Sequence, residues 1–196
     1  MADIKRKGYG QVEPNHLSGI VNGKIYAQLP AITITTTGSG NDAVTTRTPI
    51  AQLEQGQFAK YNYADGVVDF GSTDGEFMLV YNEEKLYDER YQSHKDFVYK
   101  ATDFSDGKLY PRLIKTDIGD IFTTNTIGTA NTSNTAEVTI GTDAQLVVGA
   151  YLAPSTSTGF LTYSASKPGT GMVWKIVKVY TMPDGQPGFK IQRVQW

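Results

Sequence analysis

The sequence has no cysteine and only two histidines, His16 and His94. The first absence excludes disulfides, thiolate nucleophiles and zinc–thiolate sites. The second leaves imidazole chemistry two places to occur. No stretch approaches the ~20 consecutive apolar residues of a membrane span. The basic residues behind Met1 are not followed by the apolar run of a secretory signal, so the expectation is a chain made in a cytoplasm, not secreted and with no membrane partner. A formal net charge of −2 lacks the basic excess of a nucleic-acid-binding domain, which argues against a specific nucleic-acid partner. Charge is nonetheless uneven. Residues 65–106 carry eleven acidic against four basic side chains, and residues 167–196 carry five basic against one acidic. Such polarity orients partners or simply solvates faces.

Helical patterning is also scarce. Only residues 83–94 read as helix, with Tyr87, Tyr91 and His94 at i, i+4 and i+7. Residues 143–148 fit a helix or a strand equally.

What is abundant is turn and strand chemistry. Asn22-Gly23, Asp65-Gly66, Asp74-Gly75, Asp106-Gly107 and Asp184-Gly185 accept the positive φ angles of tight turns. Between them lie runs of Val, Ile, Thr, Tyr and Phe, and threonine outnumbers even glycine. The predicted class is all-β, as β-sandwich or small β-barrel units with an extended N-terminal arm and at most one short helix. Expected strands are 23–29, then 57–63, 67–70 and 76–81 as a meander, then 172–181 and 189–194 around a Pro-stiffened hairpin loop. Phe77-Met78-Leu79-Val80 is apolar without a break, which predicts burial on both faces. Residues 33–48 and 123–135 are mostly small and polar and predict two mobile loops. The organisation expected is an arm and Thr/Gly-rich loop over 1–45, a middle β unit over 46–116 and a C-terminal β unit over 117–196.

Catalytic patterns are thin. His16 lies in a polar extended segment and His94 beside Lys95, neither a setting for a Ser-His-Asp base, and no G-x-S-x-G elbow is present. Glu83, Glu84, Asp88 and Glu89 cluster next to Lys85 and Arg90. Glu84 and Asp88 would share a helix face, as a glycosidase pair or as a solvated surface with local ion pairs. Asp103/Asp106 and Asp117/Asp120 offer paired carboxylates in turns, without the twelve-residue calcium-loop signature. Gly8-Tyr9-Gly10 lacks the preceding strand and following helix of a phosphate cradle, and Pro14 keeps the residues after the glycines extended. The expectation is no enzyme, no cofactor and no metal. Tyr61 and Tyr63, two apart on one strand face, keep open a carbohydrate-binding surface alongside ordinary packing.

Five stretches carry a resemblance: 9–18 (YGQVEPNHLS), 23–30 (GKIYAQLP), 53–61 (LEQGQFAKY), 119–126 (GDIFTTNT) and 182–193 (MPDGQPGFKIQR). Spread over nearly the whole chain, they resemble small virion proteins encoded among the head genes of tailed bacteriophages. The resemblance implies a non-enzymatic structural protein of the virion, most similar to a capsid decoration (cement) protein on the outer shell. Its implied partner is the major capsid protein or another head protein, with self-association also open. Such proteins often lay an extended N-terminal arm on a neighbour, so the expected partner-binding residues are Lys5, Arg6, Lys7, Tyr9, Val12 and Pro14. The alternative is a carbohydrate-binding β module for host adhesion on the same particle.

Overall fold

The computed structural model describes the chain except Gly40, Asn41, Asp74, residues 83–86, 89–92 and 95–97, and Asn134; for Tyr87, Asp88, Ser93 and His94 the description is of backbone only. Strands dominate. The first are β1 (Asp3–Lys7), β2 (Val12–His16), β3 (Ile25–Tyr26), β4 (Ile32–Thr37), β5 (Val44–Pro49) and β6 (Gln52–Glu54). Next come β7 (Phe58–Asn62), β8 (Val67–Asp69), β9 (Phe77–Val80), β10 (Tyr87–Asp88), β11 (Ser93–His94) and β12 (Val98–Lys100). The last are β13 (Leu113–Ile114), β14 (Ile121–Thr124), β15 (Glu137–Thr142), β16 (Tyr151–Pro154), β17 (Leu161–Ser164), β18 (Val173–Thr181) and β19 (Pro187–Gln195). Helix is confined, among the described residues, to α1 (Ser18–Val21) and one 3-10 turn, Ala101–Asp103. No described helix is long and apolar enough to cross a membrane.

Two antiparallel sheets form the body. One has the order β17-β16-β18-β19-β14-β2 and the other β3-β13-β9-β7-β8. Alternation along the strands of the second sheet explains why it is covered on both faces. Phe58, Leu79 and Ile114 point to a core shared with Phe122, Trp174, Ile176 and Ile191 of the six-stranded sheet. Their neighbours Ala59, Met78, Val80 and Leu113 point the other way, against Ala31, Ile50, Leu53 and Leu109. The unbroken apolar run at β9 is therefore a central strand between β13 and β7, buried on both faces as its sequence predicts. At the centre of the shared core Phe58, Phe122 and Trp174 form an aromatic triad. Phe122 meets Trp174 edge-on at 4.9 Å and Phe58 lies tilted at 5.6 Å from it. Such pairs add ~0.5–1.5 kcal/mol each beyond area burial. Because Phe58 lies in the expected middle unit and Phe122 and Trp174 in the expected C-terminal one, the two halves share this core.

Several expectations are corrected. Strands β7, β8 and β9 do not run as a simple meander, since β7 pairs with both β8 and β9 and is the central one. Of residues 33–48, expected as a loop, 33–37 and 44–48 are strands β4 and β5, paired in register from Ile32↔Pro49 to Thr37↔Val44. Their β-branched threonines favour the extended backbone more than their polarity favours disorder. Residues 123–126 are not mobile either: Thr123, Thr124, Asn125 and Thr126 are fully buried, with the Thr124 and Thr126 hydroxyls bonded to backbone carbonyls, the Thr123 hydroxyl to Asn15 Oδ1, and Asn125 Oδ1 accepting the Gln11 N–H. Residues 143–148 are turn and bend, neither helix nor strand. Of the expected helix 83–94, the four described residues are extended and paired, Tyr87↔His94 and Asp88↔Ser93. Its few apolar side chains give a short helix too little to bury. The rest of that segment lies outside the described residues.

Candidate functional site

The N-terminal segment is extended but is not a free arm. β1 pairs with β15 from Asp3↔Thr142 to Lys7↔Glu137, and β2 forms an edge of the six-stranded sheet by pairing with β14. Of the six residues expected to meet a partner, Arg6 and Tyr9 are buried inside the chain's own fold. Val12 and Pro14 are half-buried opposite Thr124 and Phe122, and only Lys5 and Lys7 are exposed. Arg6 and Tyr9 are thus taken up by the chain's own fold, and this segment completes its own sheet by the same backbone pairing that would add a strand to a neighbour.

What fixes it there is a buried polar knot that draws on three of the five stretches. The Glu54 carboxylate takes the Arg6 guanidinium at 2.7 Å on Oε2, with both side chains buried. The same oxygen accepts the Gly10 N–H at 2.6 Å, and Oε1 accepts the Asn131 N–H at 2.7 Å. Arg6 also donates to the carbonyls of Gly8 and Thr129, and Asn131 Nδ2 donates to Gly8 O at 2.6 Å. Thr126 Oγ1 donates to the Gln55 carbonyl, and Thr124 Oγ1 to the Gln11 carbonyl at 2.7 Å. Gly10 has no room for a side chain, because a Cβ there would strike Thr126 and the Gln55 carbonyl. The Gly-x-Gly is a close-packing element. Its ligand is the chain's own glutamate.

A second charged corner lies at the 117–120 turn. Ser18 Oγ donates to Asp117 at 2.8 Å and to Asp120 at 3.0 Å, and Lys24 Nζ pairs with Asp117 at 2.8 Å. These contacts, the Lys24 ammonium first and the Ser18 hydroxyl second, hold the Asp117 carboxyl below its usual range. Asp106 likewise accepts from the Lys108 N–H and the Tyr110 hydroxyl. Asp106 and Asp120 brace their own turns through backbone N–H groups, and among the described residues no group of three His, Cys, Asp or Glu is placed to hold a metal ion. His16 is exposed at the end of β2. The side chains of Glu84, Asp88 and His94 lie outside the described residues. The Tyr61 and Tyr63 rings lie tilted at 5.1 Å, but Tyr61 is buried, its hydroxyl accepting the N–H groups of Gln28 and Leu29, so of the two Tyr63 alone faces outward.

Two features stand out that sequence reasoning missed. The first is the β4–β5 ribbon, whose strand residues are exposed except Ile32 and the half-buried Ile34. Among the described residues its strands pair only with one another. The one charged residue of its two strands, Arg47, folds back on Asp65, donating to that residue's carbonyl at 3.0 Å. The alternation of Ile and Thr over 32–35 was the available signal. The second is a cleft of about 430 Å³ between the sheets, lined by Lys60, Glu76, Phe77, Met172, Arg193 and Trp196 among others. Nothing in the local sequence brings Lys60 and Glu76 to Trp196; only the stacking of the sheets does.

No protein-family model matches the chain, and no curated protein or solved structure does either.

Proposed function

We propose that the chain is a non-enzymatic structural protein of a tailed-bacteriophage virion that binds the outside of the capsid as a decoration protein, docking through the β4–β5 ribbon. The resemblance of five stretches to phage head proteins supports the class. The ribbon carries the mode of attachment. An isolated two-stranded hairpin is at best marginal in water. This one nevertheless extends for six residue pairs without a core beneath most of it. Among the described residues its β5 edge pairs with no other strand and has no lysine or bulge; Arg47 is turned onto Asp65 and Pro49 stands at the strand's end, so the edge over residues 44–46 carries neither charge nor proline to block edge-to-edge contact. It therefore suits strand addition to a capsid-protein sheet, where backbone hydrogen bonds supply affinity. Repetition over the shell makes modest single contacts sufficient.

The test is cryo-electron microscopy of matching capsids incubated with the protein. The expected result is ordered density with the ribbon against the shell. A variant in which residues 33–48 are replaced by an Asn-Gly turn keeps its circular-dichroism spectrum and melting transition but loses occupancy at least about tenfold. No bound density, or full occupancy by the ribbonless variant, overturns the reading.

A further inference from the structure

We infer that the cleft at Trp196 is a binding site for a pyranose sugar, a role beyond capsid attachment and independent of it. A pyranose has an apolar C–H face and a rim of hydroxyls. A site for it needs an aromatic platform beside groups that both accept and donate hydrogen bonds.

The cleft supplies each part. Trp196 is 54% exposed, and the Arg193 guanidinium lies 4.5 Å from its ring centre. A ring held on one face by a cation and more than half open to solvent presents its other face as a platform. Glu76 is the acceptor, oriented by ion pairs from Lys115 and, at 3.8 Å, from Arg193. Lys60 is the donor. Its ammonium sits 4.8 Å over the Phe77 ring and bonds the Ser72 carbonyl at 2.7 Å. Phe77 and Met172 provide the remaining apolar wall, and about 430 Å³ falls in the range of small-molecule sites.

Other ligands fit less well. The Arg193 guanidinium is committed to Thr116, the Gln195 carbonyl and Glu76, so it offers a phosphate no open fork. An apolar peptide side chain would strip water from the remaining hydrogen-bonding capacity of Glu76 and Lys60 without replacing it, at a net cost.

The experiment uses the whole chain and a panel of free sugars, N-acetyl-D-glucosamine, D-glucose, D-galactose and L-rhamnose, at millimolar concentration. Binding is read by saturation-transfer NMR on the sugar. Tryptophan emission gives a second readout: Trp174 is fully buried, so a sugar-induced change reports Trp196. At least one sugar gives a saturable signal that falls at least about tenfold in Trp196→Ala and survives in Tyr63→Ala, whose exposed ring lies elsewhere. Capsid occupancy is unchanged in both variants, which separates this inference from the attachment reading. A panel with no saturable signal, or a signal that persists in Trp196→Ala or vanishes in Tyr63→Ala, overturns it.

Discussion

Arg6 and Glu54 lie 2.7 Å apart with neither side chain open to water, joining the N-terminal strand to the middle of the chain. A buried ion pair is weak evidence for extra stability over an apolar pair of the same shape. Breaking it from one side is costly, because the remaining charge has no solvent. Glu54→Gln and Arg6→Met should therefore each destabilise by about 3–5 kcal/mol, a large share of a domain's total. The double variant Arg6→Met/Glu54→Leu should cost less than the sum. Urea unfolding checks this, and additive single costs would show that the pair acts as two separate groups.

The same pair changes what truncation does. A detachable arm would be lost without harm. Removing residues 1–14 instead takes away β1, most of β2 and the partner of Glu54, and it uncovers β14 and β15 as new edges. The truncated protein should fail to show a cooperative melt or should be recovered insoluble. A soluble product with an unchanged transition would restore the free-arm picture.

The turn dipeptides were legible in the sequence because glycine at positive φ is a local requirement, met at Gly23, Gly66, Gly75, Gly107 and Gly185. Phe77 to Val80 announced a doubly buried strand because burial on both faces removes the alternation. Thr123 to Thr126 gave the opposite impression. Four small polar residues look like loop, and their burial depends on carbonyls of Gln11 and Gln55 far away in sequence. Lys5, Arg6 and Lys7 read as one basic cluster for the same reason. Alternation along β1 sends Arg6 inward and its neighbours outward, but the waiting carboxylate is 48 residues on. The cleft at Trp196 had no local signature at all.

Asp117 predicts an acid-limb effect. Its folded pKa lies below the unfolded value of about 3.9 because Lys24 and Ser18 bond the carboxylate. The stability it contributes is present above the unfolded value and is lost as pH falls through the folded one. Asp117→Asn should be less stable than the parent at neutral pH, and the gap should close below about pH 4. Thermal melts of both proteins across that range measure it. A gap that stays constant into acid would mean that the carboxylate's charge plays no part.

Two glycines separate the two reasons for having one. Gly10 is excluded from carrying a side chain by contact, since a Cβ would strike Thr126 and the Gln55 carbonyl while its φ is not in the left-handed region. Gly23 has φ +66°, and a Cβ added there would meet nothing within 4 Å, so its constraint is backbone conformation alone. Asparagine tolerates left-handed φ better than alanine does. Gly23→Asn should therefore cost less than Gly23→Ala, which should itself cost about 1–2 kcal/mol. At Gly10 the order changes. Alanine should cost about 1–3 kcal/mol through overpacking, and asparagine, being larger, should cost more. Denaturant midpoints for the four variants decide it. A Gly10→Ala protein as stable as the parent would show that the Glu54 knot tolerates a side chain where the packing leaves none.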